Sequence, residues 1–138
     1  MTYIAFIINS SRKLVFERLS VRYLGRNESW FILIAALHFI FWTAAPSLGF
    51  SSPPLDVIEN RFWGSEWLIG TYKHPPLQAW LTQISWQFGG VSAIYAMSQI
   101  FVIATAAALF LLGRDISDSQ TGLLASGIYF LCYYEIGS

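Results

Sequence analysis

Charge is what this chain has least of. Only 12% of its 138 residues are Asp, Glu, Lys or Arg, against roughly 25% in soluble domains. There is no surplus of either sign, since eight Lys and Arg balance eight Asp and Glu. Without a basic excess to neutralise phosphates, the composition excludes nucleic acid as a partner. Cysteine is almost missing as well. The single Cys132 excludes an internal disulfide, and its place in an apolar run reads as a buried, inert thiol. There is no His and Cys cluster to hold a metal, no glycine-rich phosphate loop and no internal repeat.

Hydrophobic residues are abundant, at 55% of the chain, and aromatic residues make up 17%. Mean hydropathy is +0.51. This composition fits neither a soluble globular domain nor a disordered chain, and it points to a membrane protein. The expected fold class is all-α integral membrane. Transmembrane helices are joined by amphipathic juxtamembrane helices in the first outward loop.

Residues 30–50 form the first expected span, a run with no Asp, Glu, Lys or Arg. At 1.5 Å per residue it extends about 31 Å, enough to cross the hydrocarbon core. Residues 90–112 form the second, after which 113–119 read as a short cytoplasmic turn. Residues 120–138 read as a third span that is cut short, with Glu135 in its last turn. Arg12, Lys13, Arg18, Arg22 and Arg26 all precede the first span. That excess places the N-terminus in the cytoplasm and the 51–89 segment outside. The spacing of Arg18, Arg22 and Arg26 predicts a basic amphipathic helix within 1–29, lying on the inner leaflet. Within the spans, His38 and Gln99 are expected to hydrogen-bond between helices. Small residues four apart, Ala104 with Ala108 and Gly122 with Ser126, suit close helix approach.

The outward segment is too long for a tight turn between helices. Ser52 is placed to cap a helix that starts at Pro53 and stops near Gly70. One face of that helix reads Asp56, Glu59, Asn60, Trp63, Glu66 and Trp67, which is acidic and aromatic; the opposite side offers Val57, Ile58 and Phe62. A second short helix is expected over 77–88, with Gly89-Gly90 turning the chain into the second span. Carboxylates are favoured near the start of a helix. One at the membrane surface can take a proton from an incoming hydroxyl, or help to hold a cation. Taken alone, the Asp56–Glu59 spacing equally suits a solvated helix face. His74 beside Lys73 can donate to a phosphate, or sit as an interfacial turn residue. The tryptophans suit both a membrane-boundary belt and packing against sugar faces.

In combination these elements are more specific. They read L-D-x-x-E over 55–59, W-G-x-E-W over 63–67 and G-x-Y-K-H-P-P-L-x-x-W over 70–80. From about Trp30 to Leu112 the chain resembles the GT-C class of membrane glycosyltransferases. Within that class it resembles the bacterial glycosyltransferase family 39-like proteins, relatives of the protein O-mannosyltransferases and of the lipid A aminoarabinose transferase. The resemblance implies a partial GT-C fold and sugar transfer from a polyprenyl-phosphate donor to a lipid, glycan or protein hydroxyl outside the bacterial inner membrane. By the same resemblance, Asp56 is the general base and Glu59 its support. Lys73 and His74 lie near the donor phosphate, and Trp63 and Glu66 contact acceptor or sugar. No cofactor is implied with certainty, and a divalent metal is left open. Family members have many more spans, and their donor binding draws on later loops. The chain is therefore expected to be an N-terminal portion, inactive by itself. Two other classes compete: a small accessory subunit without catalysis, and a transporter piece with His38 and Gln99 lining a path.

Overall fold

A computed structural model of the chain describes residues 25–69 and 75–132. Among these residues the fold is entirely helical, with four helices and no strand. The amphipathic helix expected within 1–29 falls almost wholly outside the described residues, as do Lys73, His74 and Glu135.

Helix α1, Arg26–Gly49, starts four residues before the expected span and takes in Arg26 and Glu28. Helix α2 is Leu55–Ser65. Helix α3, Pro76–Ile116, is a single run of helix interrupted at Gly89 and Gly90. Helix α4 is Ser119–Cys132. Two of these, α1 and α3, are long and apolar enough to cross a membrane. Much of their apolar surface is exposed, including Leu37, Ile40 and Phe41 of α1 and Ile100, Leu111 and Leu112 of α3.

Several expected boundaries shift. Ser52 caps nothing. The helix begins at Leu55 behind Pro54, whose carbonyl accepts from the N–H groups of Val57 and Ile58. Pro54 stays outside the helix through its ψ of 151°, and a proline disfavours helical backbone at the residue before it, which delays the first turn past Pro53. Nor does α2 reach Gly70. It ends in a Schellman arrangement: the N–H of Trp67 bonds to the Gly64 carbonyl at 3.1 Å, and that of Leu68 to the Trp63 carbonyl at 3.4 Å. Trp67 takes the left-handed position that glycine usually fills, with φ at 50°. The turn expected over 113–119 shrinks to Ser117 and Asp118, because α3 continues to Ile116.

The break in α3 decides the architecture. Gly90 has φ at 62° and ψ at −143°, a conformation that side chains with a Cβ avoid. The chain doubles back there. Ser85, in the arm 76–88, donates its hydroxyl to Met97 Sδ at 3.1 Å, although twelve residues separate them. In a straight helix the same pair would lie about 18 Å apart. The two arms therefore form a V, with the longer arm, 91–116, running between α1 and α4.

The core sits where α1, the long arm and α4 meet. It contains Ala35, Val102, Ala106 and Phe130, and the rings of Phe31 and Phe110 lie tilted against each other with centroids 4.9 Å apart. On α4, Gly122 and Ser126 are buried, whereas Ala104 and Ala108 of α3 are exposed and Ala106 holds the tight position between them. A 3.6-residue period puts 102, 106 and 110 on one face, opposite 104 and 108. Gln99 of α3 is buried, and the His38 ring of α1 lies 4.5 Å from that of Phe130. Cys132 is exposed, contrary to the expected burial, because α4 presents it on its outer side.

At the other end, Asn27 donates to the Ser119 hydroxyl at 3.0 Å, joining the starts of α1 and α4. Asp118 caps α4, accepting the Thr121 N–H at 2.7 Å. That backbone hydrogen bond, helped by the Thr121 side chain, holds the Asp118 carboxyl below the usual carboxylate range. A lowered folded-state pKa contributes stability that is complete above the unfolded value and is lost as pH falls through the folded one. Thermal melts in detergent should therefore show Asp118→Ala less stable than the parent at neutral pH. The two should converge as pH drops below the carboxylate range.

Helix α2 lies against the short arm of α3 at Gly64. A Cβ added there would collide with the Ala79 carbonyl oxygen and come 2.7 Å from Gln83 Cβ. Gly64→Val is expected to pry α2 from the arm and cost about 1–3 kcal/mol, the usual range for overpacking. Limited proteolysis between 50 and 75 should accelerate in that variant, with the α1–α4 core melting unchanged.

Candidate functional site

The sequence stripe along α2 divides when the helix packs. Asn60 and Gly64, one turn apart, turn into the contact with α3 and are buried. Ile58 and Phe62 face away and are exposed, Phe62 by 63%. The face that packs is thus the small and polar one, because the Ala79 carbonyl leaves no room for a side chain at position 64. Opposite, Ala79 and Thr82 are buried, and Thr82 returns its hydroxyl to the Gln78 carbonyl at 2.9 Å.

Two further contacts fix α2 on the short arm. The Arg61 guanidinium sits 3.8 Å over the Trp86 ring. Past the end of α2, Trp80 Nε1 donates to the Leu68 carbonyl at 3.1 Å, and the Trp80 ring lies 6.4 Å from that of Trp67. The ring contact at Trp67 offsets the backbone strain of a left-handed tryptophan.

The inside of the V holds a cavity of about 620 Å³, within the range of about 300–1,000 Å³ typical of small-molecule sites. Leu77 and Leu81 of the short arm face Ile94, Met97 and Phe101 of the long arm across it. Its polar lining includes Asn60, Gln78, Thr82 and Ser98, with Tyr129 contributed by α4. Asp56 stands on the rim, in the exposed first turn of α2. It is the only charged residue among the described lining.

The expected site residues are distributed unequally around this cavity. Asp56 lines it. Glu59 is half-buried one turn on, and Trp63 is half-buried further along α2; neither is among the cavity's lining. Glu66 is the exposed C-cap residue at the far end of α2, ten residues and about 15 Å of helix from Asp56. Lys73 and His74 lie outside the described residues, although Pro75, the next residue, lines the cavity. No group of three or more His, Cys, Asp or Glu that could hold a metal is found among the described residues.

The residue that sequence reasoning passed over is Asn60. It lay on the acidic stripe, but nothing in its spacing set it apart. In the structure it is 3% exposed, and its Nδ2 donates to the Asp56 backbone carbonyl at 2.8 Å. Its Oδ1 is buried with no hydrogen-bond partner among the described residues. Only the pairing of α2 with α3 reveals this, since an isolated helix would leave the carboxamide in solvent.

Comparison with protein-family models, with curated proteins and with solved structures finds no match to this chain.

If the cation–π contact fixes α2 on the short arm, Arg61→Ala and Trp86→Ala should each lower stability, and the double variant by less than their sum. A coupling energy of about 0.5–1 kcal/mol is expected from a double-mutant cycle. Additive losses would leave the contact without energetic weight.

Proposed function

We propose that this chain is part of an integral-membrane glycosyltransferase, in which Asp56 activates an acceptor hydroxyl on the outer face of a bacterial inner membrane. The observation that carries the proposal is the position of Asp56. It is a carboxylate in the first turn of a helix, on the rim of a cavity large enough for a substrate and lined mainly by apolar side chains. The likeness of 55–80 to the acidic-pair and Pro-Pro elements of the family 39-like transferases supports it. So do two helices long and apolar enough to span a membrane.

In this reading the reaction is a single inverting displacement. The acceptor oxygen attacks the anomeric carbon of the sugar, the bond from that carbon to the phosphate oxygen breaks, and the polyprenyl phosphate leaves with the electron pair. The proton of the acceptor hydroxyl passes to the Asp56 carboxylate. Glu59 supports the base from the next turn. Asn60, bonded to the Asp56 carbonyl, steadies the turn that presents it. Lys73 and His74 interact with the donor phosphate, and Trp63 and Glu66 contribute to acceptor or sugar contact further along α2.

The test uses membranes carrying the full-length protein, supplied with a labelled polyprenyl-phosphate sugar. Asp56→Asn should cut transfer by about 10²–10⁴-fold, the usual contribution of a general base, at unchanged membrane abundance. Glu59→Gln should cost less. Transfer by Asp56→Asn at the parental rate would overturn the assignment.

A further inference from the structure

We infer that Asn60 is a specificity-determining residue, whose Oδ1 accepts a hydrogen bond from a hydroxyl of the sugar held in the cavity. The sugar comes from the transferase reading, on which the inference rests. Asn60 lines the cavity and is 3% exposed. Its carboxamide can be turned only one way. Nδ2 bonds to the Asp56 backbone carbonyl at 2.8 Å, and a carbonyl oxygen accepts but never donates, so the nitrogen must face it. Oδ1 is the atom left over, buried with no partner among the described residues. A buried acceptor left unmet is costly, and a ligand hydroxyl relieves that cost.

Two donors of the short arm are committed elsewhere. Thr82 has one hydroxyl proton and gives it to the Gln78 carbonyl at 2.9 Å. Trp80 gives its only side-chain N–H to the Leu68 carbonyl. The donor that Oδ1 lacks is therefore supplied by what fills the cavity. An amide oxygen is neutral, so it selects for a hydroxyl without restricting the charge carried elsewhere on the ligand. Pro75, beside the Lys73–His74 pair assigned to the donor phosphate, lines the same cavity. A donor with its phosphate at that end brings its sugar towards α2. Asp56 and Asn60 are one helical turn apart, which separates their Cβ atoms by about 5–6 Å. With the attacked anomeric carbon beside Asp56, a ring hydroxyl of the same sugar comes within reach of Asn60. A sugar without that hydroxyl leaves Oδ1 unpaired again, and the site discriminates against it.

Membranes carrying the full-length protein are supplied in turn with decaprenyl-phosphate glucose, mannose and galactose, then with the monodeoxy forms of the sugar transferred fastest. Loss of one particular hydroxyl is expected to lower kcat/KM about tenfold in the parent, the equivalent of one neutral hydrogen bond, and to cost nothing further in Asn60→Leu. A purely structural asparagine cannot give that pattern, because losing its bond to the Asp56 carbonyl slows transfer of every donor alike. Equal deoxy losses in parent and Asn60→Leu at every ring position would overturn the inference and leave the transferase standing. Coupling of Asn60 to a hydroxyl of the acceptor, with none to the sugar, would overturn it as well.

Contact is read on the unaltered protein, so the result does not depend on Asn60→Leu folding. The same three donors, each carrying a diazirine on the sugar, should label 55–65 saturably. The undecorated donor should compete, and the deoxy form that lacks the hydroxyl read by Asn60 should compete about tenfold less well. Labelling absent from 55–65 with all three donors would overturn the sugar site. Labelling of 55–65 without transfer to any acceptor would overturn the transferase and leave the sugar site.

Discussion

The structure depends on one backbone reversal. At Gly90 the chain adopts φ of 62° and ψ of −143°, and a single apolar helix becomes two arms folded on each other. A continuous rod over 76–116 would extend about 60 Å, twice the thickness of a bilayer core. Folded at the glycines, it supplies one span-length arm and a shorter arm that returns beside it, joined by the Ser85–Met97 contact. Everything at the candidate site follows from that geometry. The short arm is the platform on which α2 lies, and the angle between the arms is the cavity.

The second constraint is steric. Helix α2 reaches the platform only because Gly64 lets its backbone approach the Ala79 carbonyl. The approach draws Asn60 into the contact, leaves Asp56 on the rim and exposes Ile58 and Phe62 on the other side. The aromatic contacts of Arg61 with Trp86 and of Trp67 with Trp80 then fix the angle of α2. An acidic side chain is thereby set on the rim of a cavity lined mainly by apolar side chains. At the opposite end of the long arm, Asn27, Ser119 and Asp118 tie the helix starts together, far from the chemistry proposed for Asp56.

Much of the helical layout was legible in the sequence. The runs without charge gave the two long apolar helices, and Gly89-Gly90 marked the turn between an outer helix and a span. Boundaries were less legible. The start of α2 depended on the extended conformation of Pro54, and its end on Trp67 occupying a position that glycine usually takes. No local rule would choose tryptophan there. Its ring contact with Trp80, thirteen residues on, offsets the strain. The tight contacts of the core were misplaced by a similar margin, with Ala106 buried instead of Ala104 and Ala108. A helix that is apolar all round carries no stripe to mark which side packs.

The sequence by itself determined the helical class, the apolar runs, the glycine pair and the acidic residues near the start of α2. These are local properties: composition, charge spacing and the freedom of glycine at positive φ. Tertiary structure alone decided that Asp56 lines the cavity while Glu59, Trp63 and Glu66 do not, and that Asn60 is buried with an unmet acceptor. Those outcomes depend on which face of α2 meets the short arm. Shape settled that choice, through the close fit of a glycine against a carbonyl, and not the hydrophobic pattern that sequence displays.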